Sequence, residues 1–582
     1  MRDMRDATPD LILHGGRIRT MAPGVDGPAA TDGDRPAATA VAVAGVRVAA
    51  LGSDRDVLAL RGRRTRVVDL RGRTVLPGFT DAHTHPVSGG LRHVECDLDR
   101  FDTEAAHLAA VAAYAAAHPD RAWIVGDGWS METFPGGIAR REALDSVVPD
   151  RPVLLTNRDG HGAWVNTRAL ELAGIDAATP DPPLGRIERD PDGTPVGMLQ
   201  EAAIELVRRL IPEHDQATFE RALLDAQAEL HGLGITGWQD ANVPPRLVAA
   251  YRAIAGRGQL TARVTLSLST NEFDLYGEEA DPFGGTDSIA EVRDAVAAEA
   301  SAGGLGRPGP GRLAAPAVKF FVDGIIESRT AAMLEPYLGG DGAPAGRRGT
   351  LNFDPAVLRA LAVDLDARGF QLHYHAIGDG AVREALDAIE AARRANGARD
   401  GRHHVAHIQV IHPDDIPRFR ALDAVANGQP LWAVHEAQMD ELTIPILGPE
   451  RTAWQYPFGS LLRAGARLAF GSDWTVSTAE PFPQLEVAVR RVWPGEVDGI
   501  PFLPAERLTL DEALRAFTVG SAFVSWQDEA GWLGVGRLAD LVVLDRDLDL
   551  VDPGLSGDLA APKVVATLVG GELVHEAPAL EG

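Results

Sequence analysis

The sequence predicts an α/β chain: a (β/α)8 TIM barrel, a composite β-sandwich drawn from both chain ends, and an α+β subdomain inserted after the first barrel strand. Three observations predict it. Eight short apolar runs recur along the middle of the chain, mostly separated by stretches with helical spacing. No Gly-x-Gly-x-x-Gly turn follows an early strand, which argues against an open dinucleotide-type sheet. Alternating Val- and Ile-rich runs with Gly turns stand at both ends.

Taken in order, residues 10–21 and 39–52 read as strands, with a Gly/Pro/Ala/Asp-rich loop over 23–36 between them. Residues 66–70 and 74–75 continue the strands toward His83. The texture returns over 534–545 and 564–575, so 1–77 and 530–582 are expected to form one sandwich beside a barrel over 78–529. The eight barrel runs begin at Phe79, then lie at 234–240, 262–269, 317–322, 370–375, 403–408, 424–430 and 467–473. Residues 219–233 and 381–394 are helical by spacing. In such barrels the chemistry sits at the C-terminal ends of the strands.

Composition narrows the function. A 582-residue chain with 45% hydrophobic and 6% aromatic residues holds a large globular core. A net charge of −27 argues against nucleic acid and anionic membranes, and favours small-molecule partners. The single cysteine, Cys96, excludes an intrachain disulfide. The first residues lack the apolar run of a secretory signal, and no run of about 18 apolar residues occurs, so a cytoplasmic protein is expected. A homodimer is compatible with this reading.

The chemistry centres on Asp81-Ala82-His83-Thr84-His85-Pro86. Side chains alternate along a strand, so His83 and His85 share a face and can hold one metal at the strand end. Lys319 stands out by composition: all but two of the 56 basic residues are arginine. A buried lysine can lose its proton and form a carbamate that bridges two metals, which arginine cannot. A charged substrate anchor is the alternative role. His373 and His375 also share a face, and spacing alone does not separate them; His375, nearer the strand end, is taken. His407 stands last in its run for the same reason, while His403, His404 and His412 are read as surface or supporting groups. Asp473 ends the eighth strand with a carboxylate able to bind metal and accept a proton from water.

The ordered set PGFTDAHTHP, VKFFVDG, HAIGD, VAHIQ, NGQP and GSDW, closed by GRLADLVVLD, resembles the amidohydrolase superfamily, in particular its family 3 branch with N-substituted formamide deformylase-like enzymes. By position, the resemblance implies that metal ligands fall on His83, His85, Lys319, His375, His407 and Asp473, with Lys319 carboxylated. It also implies a long insertion, here about 89–212. Within it, Asp159 to Asn166 (DGHGAWVN) is similar to the family's DGHSAWVN, with Gly162 replacing a small hydroxyl residue. His161 is then expected to polarise a carbonyl and Trp164 to wall an apolar substituent, a turn cap being the alternative for His161. Asp323, Arg329 and Trp432 are further candidates for substrate contact, with loop ion pairs or packing as alternatives. Where members read SxQP, this chain has Asn427-Gly428-Gln429-Pro430.

The expected cofactor is one or two divalent ions, zinc by ligand type, with a carbamate on Lys319. The expected activity is hydrolysis of a non-peptide C–N bond, an amide, formamide, cyclic amide or carbamate. A metal-activated water attacks, and Asp473 serves as general base and then acid. Ester hydrolysis, a non-hydrolytic carbonyl reaction and a non-catalytic metal-binding regulator are the competing readings.

Overall fold

The computed structural model describes residues 8–22, 38–270, 283–302, 312–340, 342–548 and 561–578. The loop expected over 23–36 lies outside them. Eight parallel strands form one sheet: β1 (Phe79–Thr84), β2 (Ile235–Val243), β3 (Arg263–Ser269), β4 (Leu313–Phe321), β5 (Gln371–Ala376), β6 (His404–His407), β7 (Val425–Gly428) and β8 (Arg467–Phe470). They neighbour one another in chain order, the arrangement of a TIM barrel.

These runs are continuous rather than alternating because helices cover the outer face and side chains fill the inner one. Every residue of β1, β2, β3 and β5 is buried. The helix Asp379–Asn396 shows how the outer layer is built. Val382, Ala385, Leu386, Ile389 and Ala392 recur every three or four residues and are buried, while Asp379 at its start and Arg393 and Arg394 at its end complement the helix dipole. Gln216–Gly232 starts where the Asp215 carboxylate accepts from the Thr218 N–H.

The first and last strands share no backbone ladder among the described residues. Side chains join them instead. The Asp81 carboxylate on β1 accepts from the Ser472 N–H (3.0 Å) and Oγ–H (2.5 Å) just after β8, and the Asp473 N–H donates to the His83 carbonyl at 2.7 Å. Gly471 lies so close to β1 that a Cβ there would stand 2.4 Å from the His83 nitrogen.

Two further sheets flank the barrel's N-terminal side. One joins Arg47–Gly52, Ala40–Ala44, Leu11–His14 and Arg66–Asp69. The other runs Arg17–Ile18, Thr74–Pro77, Leu541–Leu544, Val564–Val569 and Glu572–Glu576, mixing strands from early and late in the chain. Leu13, Val41, Val43, Val75, Leu541, Val543 and Val565 share one core. Between β1 and β2, a six-stranded sheet spans Cys96–Asp97 to Pro195–Glu201 and has cores of its own. No helix among the described residues is long and apolar enough to cross a membrane.

A buried ion pair ties the flanking sheet to the barrel. Arg263 at the start of β3 makes a two-pronged contact with Asp540, Nε to Oδ2 at 2.7 Å and Nη2 to Oδ1 at 3.0 Å, and Asp540 also accepts from the Gly570 N–H at 2.6 Å. Both side chains are almost wholly buried. Removing one partner strands the other charge without water, so Asp540→Ala is expected to cost about 3–5 kcal/mol. The thermal unfolding midpoint should fall markedly, while Asp545→Ala, at a more exposed carboxylate, should shift it little.

Candidate metal centre

Strand ends around the barrel mouth deliver the donors. His83 ends in an Nε2 that lies 3.4 Å from Asp473 Oδ1 and 3.3 Å from Lys319 Nζ, and His85 Nε2 lies 3.2 Å from the same Asp473 oxygen. One ligand atom from each of His83, His85 and Asp473 lies within 4.8 Å of the others. His407 and His375 pack beside them, with ring centroids 4.7 Å between His83 and His407 and 4.5 Å between His407 and His375. All six residues named from the sequence therefore meet at one place.

Supporting contacts fix which atoms face inward. His373, one layer down β5, meets His83 Nδ1 through its Nε2 at 2.9 Å, and Ser267 Oγ lies 2.9 Å from its other nitrogen. This leaves His83 Nε2 for the centre. The strand face shared by His373 and His375 is real, and depth along β5 separates their roles. His407 Nδ1 lies 3.0 Å from Gln429 Oε1 and its ring stacks on Trp432 at 5.4 Å and 11°. Backbone strain appears at the same points: His407 (φ 74°) and Asp473 (φ 53°) adopt left-handed conformations without being glycine.

Electrostatics follow from burial. It drives the imidazoles of His83, His373 and His375 far below their ordinary range, and that of His407 down to about 3, so each stands as a neutral donor. Burial likewise lowers Lys319 to about 7, against the pull of Asp473 and Asp240. Burial alone would raise Asp473, but His85, His407 and Lys319 hold it below the usual carboxylate value, ionised. Among the described residues Asp473 Oδ1 is buried with no hydrogen-bond partner, although two imidazoles stand close. Neutral nitrogens and an ionised oxygen turned toward a shared point are the donor chemistry of a divalent cation such as zinc.

The insertion adds His161 above this cluster, its ring centroid 5.3 Å from that of His375. His161 Nδ1 lies 2.9 Å from Glu201 Oε2, both side chains buried. Burial would depress this imidazole, but Glu201, with Asp159 and Asp323, outweighs it and raises the group to about 9. Gly324 leaves room for the pair: a Cβ there would fall 2.0 Å from Glu201 Oε1, which also meets the Thr330 hydroxyl.

Of the expected substrate contacts, Trp164 and Arg329 lie away from the centre and Asp323 borders it. Trp164 is fully buried in the insert's own core, edge-on to Phe134 (5.0 Å) and Trp129 (6.0 Å), its indole N–H donating to the Arg140 carbonyl. It lines neither cavity that reaches the centre. The Asp323 carboxylate accepts from three backbone N–H groups, of Ile377, Gly378 and Ala332, and its Oδ1 stands 3.7 Å from His375 Nε2. Arg329 lines neither of the cavities that reach the centre. Trp432 does line one. His403 and His404 are buried rather than at the surface, and His403 pairs with Asp366 at 3.0 Å. Sequence reading passed over His373 as a support, Gln429, Asp81 and Glu201. Asp81 was within reach, since it stands two residues before His83, at the start of the Asp81-Ala82-His83-Thr84-His85-Pro86 stretch.

A parallel barrel with imidazoles and a carboxylate gathered at its strand ends defines a metal-binding hydrolase class. The chain belongs to the amidohydrolase family, whose profile matches residues 66–575, and it is an enzyme acting on carbon–nitrogen bonds. It is 30% identical to protein LONG AFTER FAR-RED 3 of Arabidopsis thaliana, over 97% of this chain and 91% of that protein. It is 28% identical to the putative amidohydrolase YtcJ of Bacillus subtilis (97% and 99% covered) and to the N-substituted formamide deformylase of Arthrobacter pascens (97% and 98%). Among solved structures, an uncharacterized metal-dependent hydrolase from Pyrococcus horikoshii shares the fold with a TM-score of 0.68 at 24% identity, covering 93% of this chain and 99% of that one.

Because His373 orients His83, His373→Phe is expected to weaken divalent-ion affinity by about 10–100-fold. Competition with a chelator dye on the folded variant reads this directly.

Proposed function

We propose that the protein hydrolyses a non-peptide C–N bond of an amide-type small molecule, with Asp473 as general base and then general acid. The convergence of His83 Nε2, His85 Nε2 and Asp473 Oδ1 carries the reading. When bound there, a divalent ion, zinc by the nitrogen-and-carboxylate donor set, supplies Lewis acidity and lowers the pKa of water at the site. His83, His85 and Asp473 would hold a first ion, and His375 and His407 a second.

Lys319 fits the role of a bridging carbamate. Its Nζ is fully buried, 3.3 Å from His83 Nε2 and over the Phe321 ring, and among the described residues no carboxylate lies within salt-bridge distance of it. A lysine in such a place gains by losing its charge.

The residues of the chain then divide the work. Asp473, ionised and facing the ion through Oδ1, takes the proton from the attacking water on its other oxygen and returns it to the departing nitrogen. His161, oriented through Glu201, offers its Nε2–H to the carbonyl oxygen as negative charge develops there. Glu201 is a positioning residue in this scheme, since it touches only the far side of the imidazole. The insert loop 158–161 covers the centre and limits the water that reaches it.

Asp473→Asn is expected to lower kcat by about 10²–10⁴-fold against a responsive amide while retaining metal by elemental analysis. Equal activity in that variant would overturn the assignment of Asp473. His161→Ala should cost about 10²–10³-fold, mostly in kcat. Dialysis against a chelator should abolish turnover, and zinc should restore it.

A further inference from the structure

Two chambers meet at the donor cluster. The larger, about 410 Å³, extends on the side of the loops after β1 and β2 and is walled by Leu91, Trp123, Val125, Leu154, Phe219 and Phe321. The smaller, about 280 Å³, extends on the side of the loops after β4 to β8 and is walled by Ile325, Leu431, Trp432, Met439, Tyr456 and Trp493. His375, His407 and Asp473 line both. So do Arg158, Asp159 and His161, which places the insert loop at the junction of the two.

This layout constrains the substrate. A bond held at the junction sends one substituent into each chamber; apolar walls predominate in the larger, and in the smaller they stand beside Glu327, Glu436 and Gln438. A formamide carries only hydrogen on its acyl carbon, so it would leave one chamber without a ligand group and forgo the burial that chamber offers. Each methylene moved from water into such a wall is worth about fourfold in affinity. The larger chamber alone falls within the usual size range of small-molecule sites.

We propose that the substrate is an N-acyl amine with an apolar group of several carbons on each side of the scissile C–N bond, one group in each chamber. The assignment rests on the C–N hydrolysis reading above, and it sets this chain apart from a strict formamide deformylase.

Four amides test it: N-formyl and N-hexanoyl derivatives of methylamine and of benzylamine. Their affinities for metal-loaded Asp473→Asn protein, read by calorimetry, do not depend on turnover. N-hexanoyl-benzylamine is expected to bind at least tenfold more tightly than either compound shortened on one side. Val125→Trp narrows the larger chamber and Leu431→Trp the smaller; each should abolish the gain from one substituent and leave the other intact. Matched unfolding midpoints, or Val125→Phe and Leu431→Phe if a Trp variant folds poorly, keep the comparison sound. Equal affinity for all four amides, or variants that affect both substituents alike, would overturn the proposal. If the binding pattern holds but wild-type, metal-loaded protein releases no amine from any of the four, the chambers stand and the hydrolytic reading falls.

Discussion

The buried carboxylate of Asp81 is the contact on which the rest of the centre depends. It accepts from the His83 N–H as well as from the Ser472 N–H and hydroxyl, and so joins the first barrel strand to the turn after the last. Burial raises this carboxyl to about 7, and the hydrogen bonds from Ser472 and His83 pull the other way. A buried anion with three donors is satisfied where an isolated one would not be. The result is that His83 and Asp473, almost 400 positions apart in the chain, are held in mutual register at the seam where backbone pairing stops.

Above that seam, orientation is fixed by partners that never reach the substrate. His373 takes one nitrogen of His83, Gln429 meets one of His407, and Glu201 one of His161. Each imidazole is thereby held in one orientation. The same logic explains why polar side chains are abundant in this interior: Ser267, Asn427 and Gln429 are buried alongside the histidines and share hydrogen bonds with them. Rigid second partners of this kind reduce the reorganisation required when charge develops.

Much of this was legible from sequence, for identifiable reasons. The barrel strands are buried on both faces and so appear as unbroken apolar runs, which is why their positions could be read off the chain. Strand ends carry the chemistry in such a barrel, which selected His83, His85, His407 and Asp473. Depth along a strand is harder. His373 and His375 share a face, and only the third dimension assigns one to the support layer and the other to the mouth. Trp164 and Glu201 sit on paired strands of the insert, where which face meets the barrel is decided by tertiary packing that periodicity does not record. Asp323 was named for its place just after the Lys319 strand, and backbone amides hold its carboxylate there.

The flanking sheet carries a consequence for biosynthesis. Thr74–Pro77 pairs directly with Leu541–Leu544, and the Leu548 N–H reaches the Thr74 hydroxyl across 474 positions. During translation the earlier strand can pair on one edge with Arg17–Ile18, while its other edge waits for Leu541–Leu544 until almost the whole barrel has left the ribosome. Long-range pairing of this kind is slow and prone to side reactions. The sheet is therefore completed only after the whole barrel between its two strands has been made.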